Sequence, residues 1–185
     1  MVQIMANIIN LDQYKREQLT DRIFTPWRIR FTDRFTLTIT LLEFTDETLF
    51  ALAHPGDNST ERFYEVIMAV LTPGTAMEFH YLDGHQKMDV VDRHLFLADH
   101  VRFEIMRRLG WITRYPCQNY SVVEMIQHFP EARKKVLKNA PILSVTQPTA
   151  AVYRRLTVRE KQVHIRQMLM DALEAFGARL ALKKN

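Results

Sequence analysis

The sequence predicts an α+β fold: an antiparallel sheet of about four strands packed with helices, followed by a helical C-terminal portion. Three observations carry that expectation. Residues 27–41 alternate apolar and polar side chains at the period of a half-buried strand. Asp83-Gly84 supplies the positive φ angles that a two-residue hairpin turn needs. Beyond Gly110 no strand pattern stands out, and apolar residues recur at helical spacing. A chain of 185 residues with 47% hydrophobic content suits one domain with a sizeable core.

Val2, Ile4 and Ile8 alternate weakly at the start, and Asn10 with Gln13 resembles a capping box opening a helix to about Arg22, closed by Pro26. Trp27, Ile29 and Phe31, then Phe35, Leu37, Ile39 and Leu41, predict one strand with a bulge or two strands with a turn near Thr32-Asp33. Residues 54–59 read as a loop. Ser59 or Thr60 can cap a helix with Phe63, Ile67, Val70 and Leu71 on its buried side, ended by Pro73-Gly74.

The Asp83-Gly84 hairpin pairs Met77 with Val90, Phe79 with Met88 and Tyr81 with Gln86 on an inner face. Its outer face then holds Glu78 opposite Asp89, and His80 opposite Lys87. Asp92 is placed to cap a helix from about Arg93 to Leu109, with Leu97, Val101, Ile105 and Leu109 as its stripe and Gly110 as its left-handed terminator.

Further on, Ser121 with Glu124 and Thr157 with Glu160 match capping boxes, and Pro130 opens a helix to Lys138. The last predicted helix reaches about Leu182. Its stripe of Ile165, Leu169, Ala172, Phe176 and Leu180 suits either the chain's own core or a homodimer seam through this C-terminal helix.

Charge divides the chain. Residues 1–104 hold 10 Lys or Arg against 16 Asp or Glu, a balance of −6, whereas residues 105–185 hold 15 against 5, a balance of +10. The expected organisation is an acidic, sheet-containing core over 1–112 and a basic helical portion over 113–185, packed on the same domain. Such a split predicts an anionic partner for the basic part, or mutual attraction between the two parts. The anion-binding candidates are Arg107, Arg108, Arg114, Arg133, Lys134, Lys135, Lys138, Arg154, Arg155 and Arg159, with Lys161 nearby and Tyr115, Tyr120 and Tyr153 interspersed. Cations among aromatics suit a phosphate backbone with stacked bases, or an acidic protein surface.

Two other constellations carry less. Glu78, His80 and Asp89 of the hairpin, helped by His85 or His94, form a metal-site alternative that would make the protein a metal-dependent enzyme. The absence of HExxH or a cysteine partner favours the plainer view, a solvated face with no metal and no cofactor. His54 beside Asp57, and the single Cys117, sit in no catalytic signature. One cysteine, and no secretory or membrane-spanning pattern, predict a cytoplasmic protein without membrane contact. The leading expectation is therefore a non-catalytic binding or regulatory protein.

Overall fold

The computed structural model describes residues 11–72 and 79–183. It is mostly helical, at 72%, with one two-stranded antiparallel sheet, so the predicted α+β fold with a four-stranded sheet is overturned. Helices α1 (Leu11–Arg30), α2 (Asp46–Ala53), α3 (Asp57–Leu71) and α4 (Gly84–Arg108) come first. They are followed by β1 (Ile112–Arg114), α5 (Val122–Gln127), α6 (Phe129–Lys138), β2 (Ile142–Leu143), α7 (Ala150–Arg155), α8 (Val158–Gln167) and α9 (Leu169–Lys183). The readings that involve Val2 to Asn10, Met77 and Glu78 lie outside the described residues.

The predicted strand over 27–41 dissolves because a helical period competes with the alternating one. Trp27 is 1% exposed and Ile29 80%, so two residues expected on one strand face are separated. Ile23, Phe24 and Trp27 instead form the buried face of α1, which runs through Pro26 to Arg30. An internal proline costs about 3 kcal/mol. Burying three large apolar side chains, at roughly 1.5–3 kcal/mol each, outweighs it. After α1 the chain is irregular to Thr40, which forms one isolated bridge with Ser121. The carboxylate of Asp33, 9% exposed, anchors this segment by accepting from the Thr45 backbone N–H at 2.6 Å and from the hydroxyls of Thr45 and Thr48.

Asp83-Gly84 is not a hairpin turn. Asp83 Oδ1 accepts from the Gln86 backbone N–H at 2.9 Å, and Gln86 Oε1 accepts from the Asp83 N–H at 3.1 Å. That reciprocal capping box starts α4 at Gly84, so the expected second strand and the expected cap at Asp92 are both inside one 25-residue helix. Phe79–Tyr81, expected in the first strand, is a 3₁₀ turn. An isolated two-stranded ribbon is marginal in water, whereas this longer helix buries Val90, Leu97, Val101 and Ile105 along one stripe.

Other local expectations hold. Ser121 with Glu124 and Thr157 with Glu160 form capping boxes, and Gly110 takes φ 75° after α4. The helix expected from Thr157 to about Leu182 is two helices meeting at Met168. Gly177 is a point of close approach: a Cβ there would lie 3.0 Å from Phe50 Cζ of α2. The strand expected nowhere after Gly110 is present, with Ile112 opposite Leu143 and Arg114 opposite Ile142.

Helix α4 is central, packed against α2, α3, α5, α9 and β1. One core gathers Phe24, Trp27, Phe35, Phe44 and Phe63 with Leu97, Ile126 and Phe176. A second gathers Phe103, Met106, Ile112, Tyr115, Leu143, Tyr153, Ile165 and Leu169. The apolar stripe of α8 and α9 is thus buried in the chain's own cores, and a seam with another copy would need a different face.

Candidate anion-binding cleft

The structure separates the ten predicted cations into three groups. Arg107 and Arg108 are engaged within the fold: both pair with the carboxylate of Glu104, which is 0% exposed, and Arg108 also reaches Asp46 at 2.7 Å. Arg133 bridges from α6 to Asp92 of α4 at 3.0 Å and lies over the Phe129 ring. With Arg166 to Asp99, and Arg179 and Lys183 to Asp46, four cations of the second part are paired with carboxylates of the first. Attraction between the parts therefore absorbs a share of the charge split inside the fold. Lys134, Arg155 and Arg159 are exposed and dispersed.

Arg114, Lys135, Lys138 and Arg154 converge. Together with Lys161 they line one open cleft of 880 Å³, built from β1, the 115–120 loop, the C-terminal half of α6, the 139–145 segment, α7 and the start of α8. No described carboxylate lines it, and none of these five cations forms an ion pair with a described residue. The second core supports the floor. Ile112 and Leu143 are buried inward, while Arg114, two residues after Ile112, and Ile142, next to Leu143, are exposed. The two-residue period of a strand accounts for Ile142 against Leu143, whereas Arg114 departs from the face of Ile112 because the register shifts between them.

Aromatic rings hold two of the lysines. Lys135 Nζ donates to Tyr120 Oη and lies 4.5 Å from the Tyr120 ring centre, and this hydrogen bond raises the lysine pKa. Lys161 Nζ lies 5.6 Å from the ring of Tyr153. Tyr153 donates its hydroxyl to the Pro141 carbonyl, and burial pushes its pKa up to about 12. The tyrosine stays neutral and takes nothing from the positive field. Cys117, at φ 60°, also lines the cleft. Burial raises its thiol pKa, which Lys135 only partly offsets, so the reactive thiolate is disfavoured.

The histidines do not converge with carboxylates. Asp89 is on α4 and pairs with Arg93 at 2.9 Å, and the His80 ring lies 4.1 Å from that of Tyr81, tilted by 44°, in the 3₁₀ turn. The cross-strand register meant to unite them with Glu78 does not form, Glu78 itself lying outside the described residues. Among the described residues no group of three His, Cys, Asp or Glu is arranged to hold a metal ion. His54 caps the C-terminus of α2 and Asp57 begins α3, both exposed.

His100 is the histidine with the clearest energetic consequence. It is 1% exposed, its Nδ1 lies 2.7 Å from the Phe96 carbonyl, and its Nε2 has no hydrogen-bond partner among the described residues. Burial lowers its pKa below the ordinary 6.5, outweighing the Phe96 and Pro116 carbonyls and Asp99. His94 is lowered too, by burial and by Arg102. Below pH 6.5 the unfolded chain therefore takes up protons that the native chain refuses. Stability is expected to be full above that value and to fall as pH drops beneath it, by at most about 1.4 kcal/mol per pH unit per histidine. Thermal melts of the wild type and His100→Phe from pH 7.5 to 5 check this, the variant being less pH-sensitive. Parallel curves would count against it.

No family model, curated protein or solved structure matches this chain. No described helix is long and apolar enough to cross a membrane. The cleft also contains residues that sequence reasoning passed over, namely the carboxamides Gln118, Asn119 and Asn139. Their one visible signal is proximity to Arg114, Tyr120 and Lys138 in the chain, which becomes meaningful when α6 and β1 are brought together.

Proposed function

We propose that this chain is a non-catalytic binding protein whose basic cleft holds an anionic partner. The carrying observation is the convergence of Arg114, Lys135, Lys138, Arg154 and Lys161, from four separate elements, on one concavity that no described carboxylate lines. Like charges gathered this way repel one another and raise the local potential, a cost that a bound anion relieves. Lys135 and Lys138 also suit the C-terminal turn of α6. That local benefit does not extend to Arg114, Arg154 or Lys161. A cytoplasmic setting suits the reading, since the single cysteine is a buried free thiol.

The test is fluorescence anisotropy with labelled polyanions, nucleic acid and polyglutamate among them, starting at about 50 mM salt. Binding is expected to weaken linearly in log K as log salt rises. The double reversal Lys135→Glu/Arg154→Glu should weaken it at least about tenfold, and Arg155→Glu/Arg159→Glu, outside the cleft, far less. No binding to any polyanion at low salt, or equal loss in the two double variants, would defeat the reading.

A further inference from the structure

We infer that the anion held in this cleft is a single-stranded nucleic acid; the inference rests on the cleft being an anion site, as proposed above. Three features of the cleft point there. The first is shape. Duplex DNA is usually read by an element that protrudes into a groove, and its major groove alone is about 12 Å wide. Here the cations are set around a recess of 880 Å³, at the upper end of the roughly 300–1,000 Å³ range of ligand-sized sites. A recess of that size admits a few nucleotides of one strand, and a concavity lacks the protruding element that enters a duplex groove.

The second feature distinguishes a nucleic acid from an acidic peptide. A carboxylate accepts hydrogen bonds and is repelled by another acceptor, whereas base edges carry donors as well. Asn139 Nδ2 donates to the Lys135 carbonyl at 3.0 Å, which leaves its Oδ1 as an acceptor in a cleft otherwise rich in positive donors. Gln118 is turned the other way, its Oε1 accepting from the Tyr115 backbone N–H at 3.4 Å, which leaves its amino group as a donor. An acceptor amid five cations has no use for carboxylate side chains and matches an N–H donor of an unpaired base edge, such as the ring N3–H of thymine or uracil.

The third feature is the apolar wall. Ile142 and Val145, 55% and 72% exposed, border the same recess. In water they stay as uncovered aliphatic surface; unpaired bases, freed from a duplex, present flat faces that can cover it. Phosphates toward the cations and bases toward Ile142, Val145 and Asn139 is the arrangement that uses both kinds of surface.

The experiment uses the full chain and labelled oligothymidylate and oligouridylate of about 20 nucleotides, longer than the roughly 4–16 that a single-strand-binding fold covers. Competitors are the matched duplex, polyglutamate, and a strand whose bases are replaced by abasic sites. Either single strand is expected to bind at least about tenfold more tightly than duplex or polyglutamate, and the two strands together show whether DNA or RNA is favoured. The log–log salt slope should be about −3 to −4, from roughly −0.7 per neutralised phosphate. Lys138→Ala should reduce it by about 0.7. Removing the bases should weaken binding several-fold with little change in slope. If duplex, polyglutamate or the abasic strand competes as well as the intact strand, the inference fails while the anion cleft stands. If no polyanion binds at low salt, both fail.

Discussion

Replacing Glu104 with alanine is expected to destabilise the fold by about 3–5 kcal/mol, the range for removing one partner of a buried ion pair. Its carboxylate is fully enclosed and takes two hydrogen bonds from Arg107, each 2.7 Å, one from Arg108 Nε at 2.9 Å, and one from the Tyr115 hydroxyl at 3.2 Å. Arg108 spends its other N–H groups on Asp46 at 2.7 Å and on the carbonyls of Leu42 and Phe44, at 3.1 and 2.6 Å. Asp46 in turn receives Lys183 at 2.8 Å, and Arg179 donates to the Arg108 carbonyl at 2.8 Å. The network ties α4 to the start of α2 and the end of α9. Burial pushes the Asp46 carboxyl up, but hydrogen bonds from Lys183 and Arg108 hold it below its ordinary value.

Without Glu104, Arg108 keeps Asp46 and its carbonyl acceptors but loses one of two counter-ions on a side chain 15% exposed, and the Tyr115 hydroxyl loses its acceptor. Arg107 is 32% exposed and can turn to water when Glu104 is removed; Arg107→Ala leaves the buried carboxylate its bonds from Arg108 and Tyr115, so it should cost less than Glu104→Ala. Urea denaturation followed by circular dichroism measures both. A Glu104→Ala cost under about 1 kcal/mol would show that the network contributes little.

Trp27→Ala is expected to cost a comparable 3–5 kcal/mol, as for other large aromatic deletions in a core. The indole is 1% exposed and meets Phe35 at 5.5 Å, Phe24 and Phe44 at 5.9 Å, Phe63 at 6.2 Å and Phe31 at 6.3 Å between ring centres. Its Nε1 donates to the Arg62 carbonyl at 2.8 Å, pinning α1 to α3. Trp27→Phe retains most of the packing and loses that bond, so about 1–2 kcal/mol is expected. Since whole domains are stable by only about 5–15 kcal/mol, the alanine variant should unfold at markedly lower urea. Equal midpoints for the alanine and phenylalanine variants would contradict the packing argument.

Both residues show how far local pattern reaches. The i+3 and i+4 spacing of Arg107 and Arg108 from Glu104 is visible in the chain and is enough to expect pairing. Burial of the carboxylate, which turns a weak surface pair into a strong constraint, needs Tyr115, Asp46 and the carbonyls before α2. Trp27 sits where periods of two and of 3.6 both fit, and the choice between them came from Phe35, Phe44 and Phe63, distant in the chain. Asp83 likewise satisfies a hairpin turn and a capping box, and the second prevails because the helix it starts has a core to cover.

By itself the sequence determined the charge asymmetry, the caps at Ser121, Thr157 and Gly110, and the apolar stripes of α4, α8 and α9. These depend on side chains within a turn or two of each other, where backbone spacing dictates who meets whom. Tertiary structure decided that no large sheet forms among the described residues, that Arg107, Arg108 and Arg133 pair with carboxylates of the same fold, and that Arg114, Lys135, Lys138, Arg154 and Lys161 share a cleft. Those outcomes turn on burial against residues far away in the chain, a free energy that local spacing does not encode.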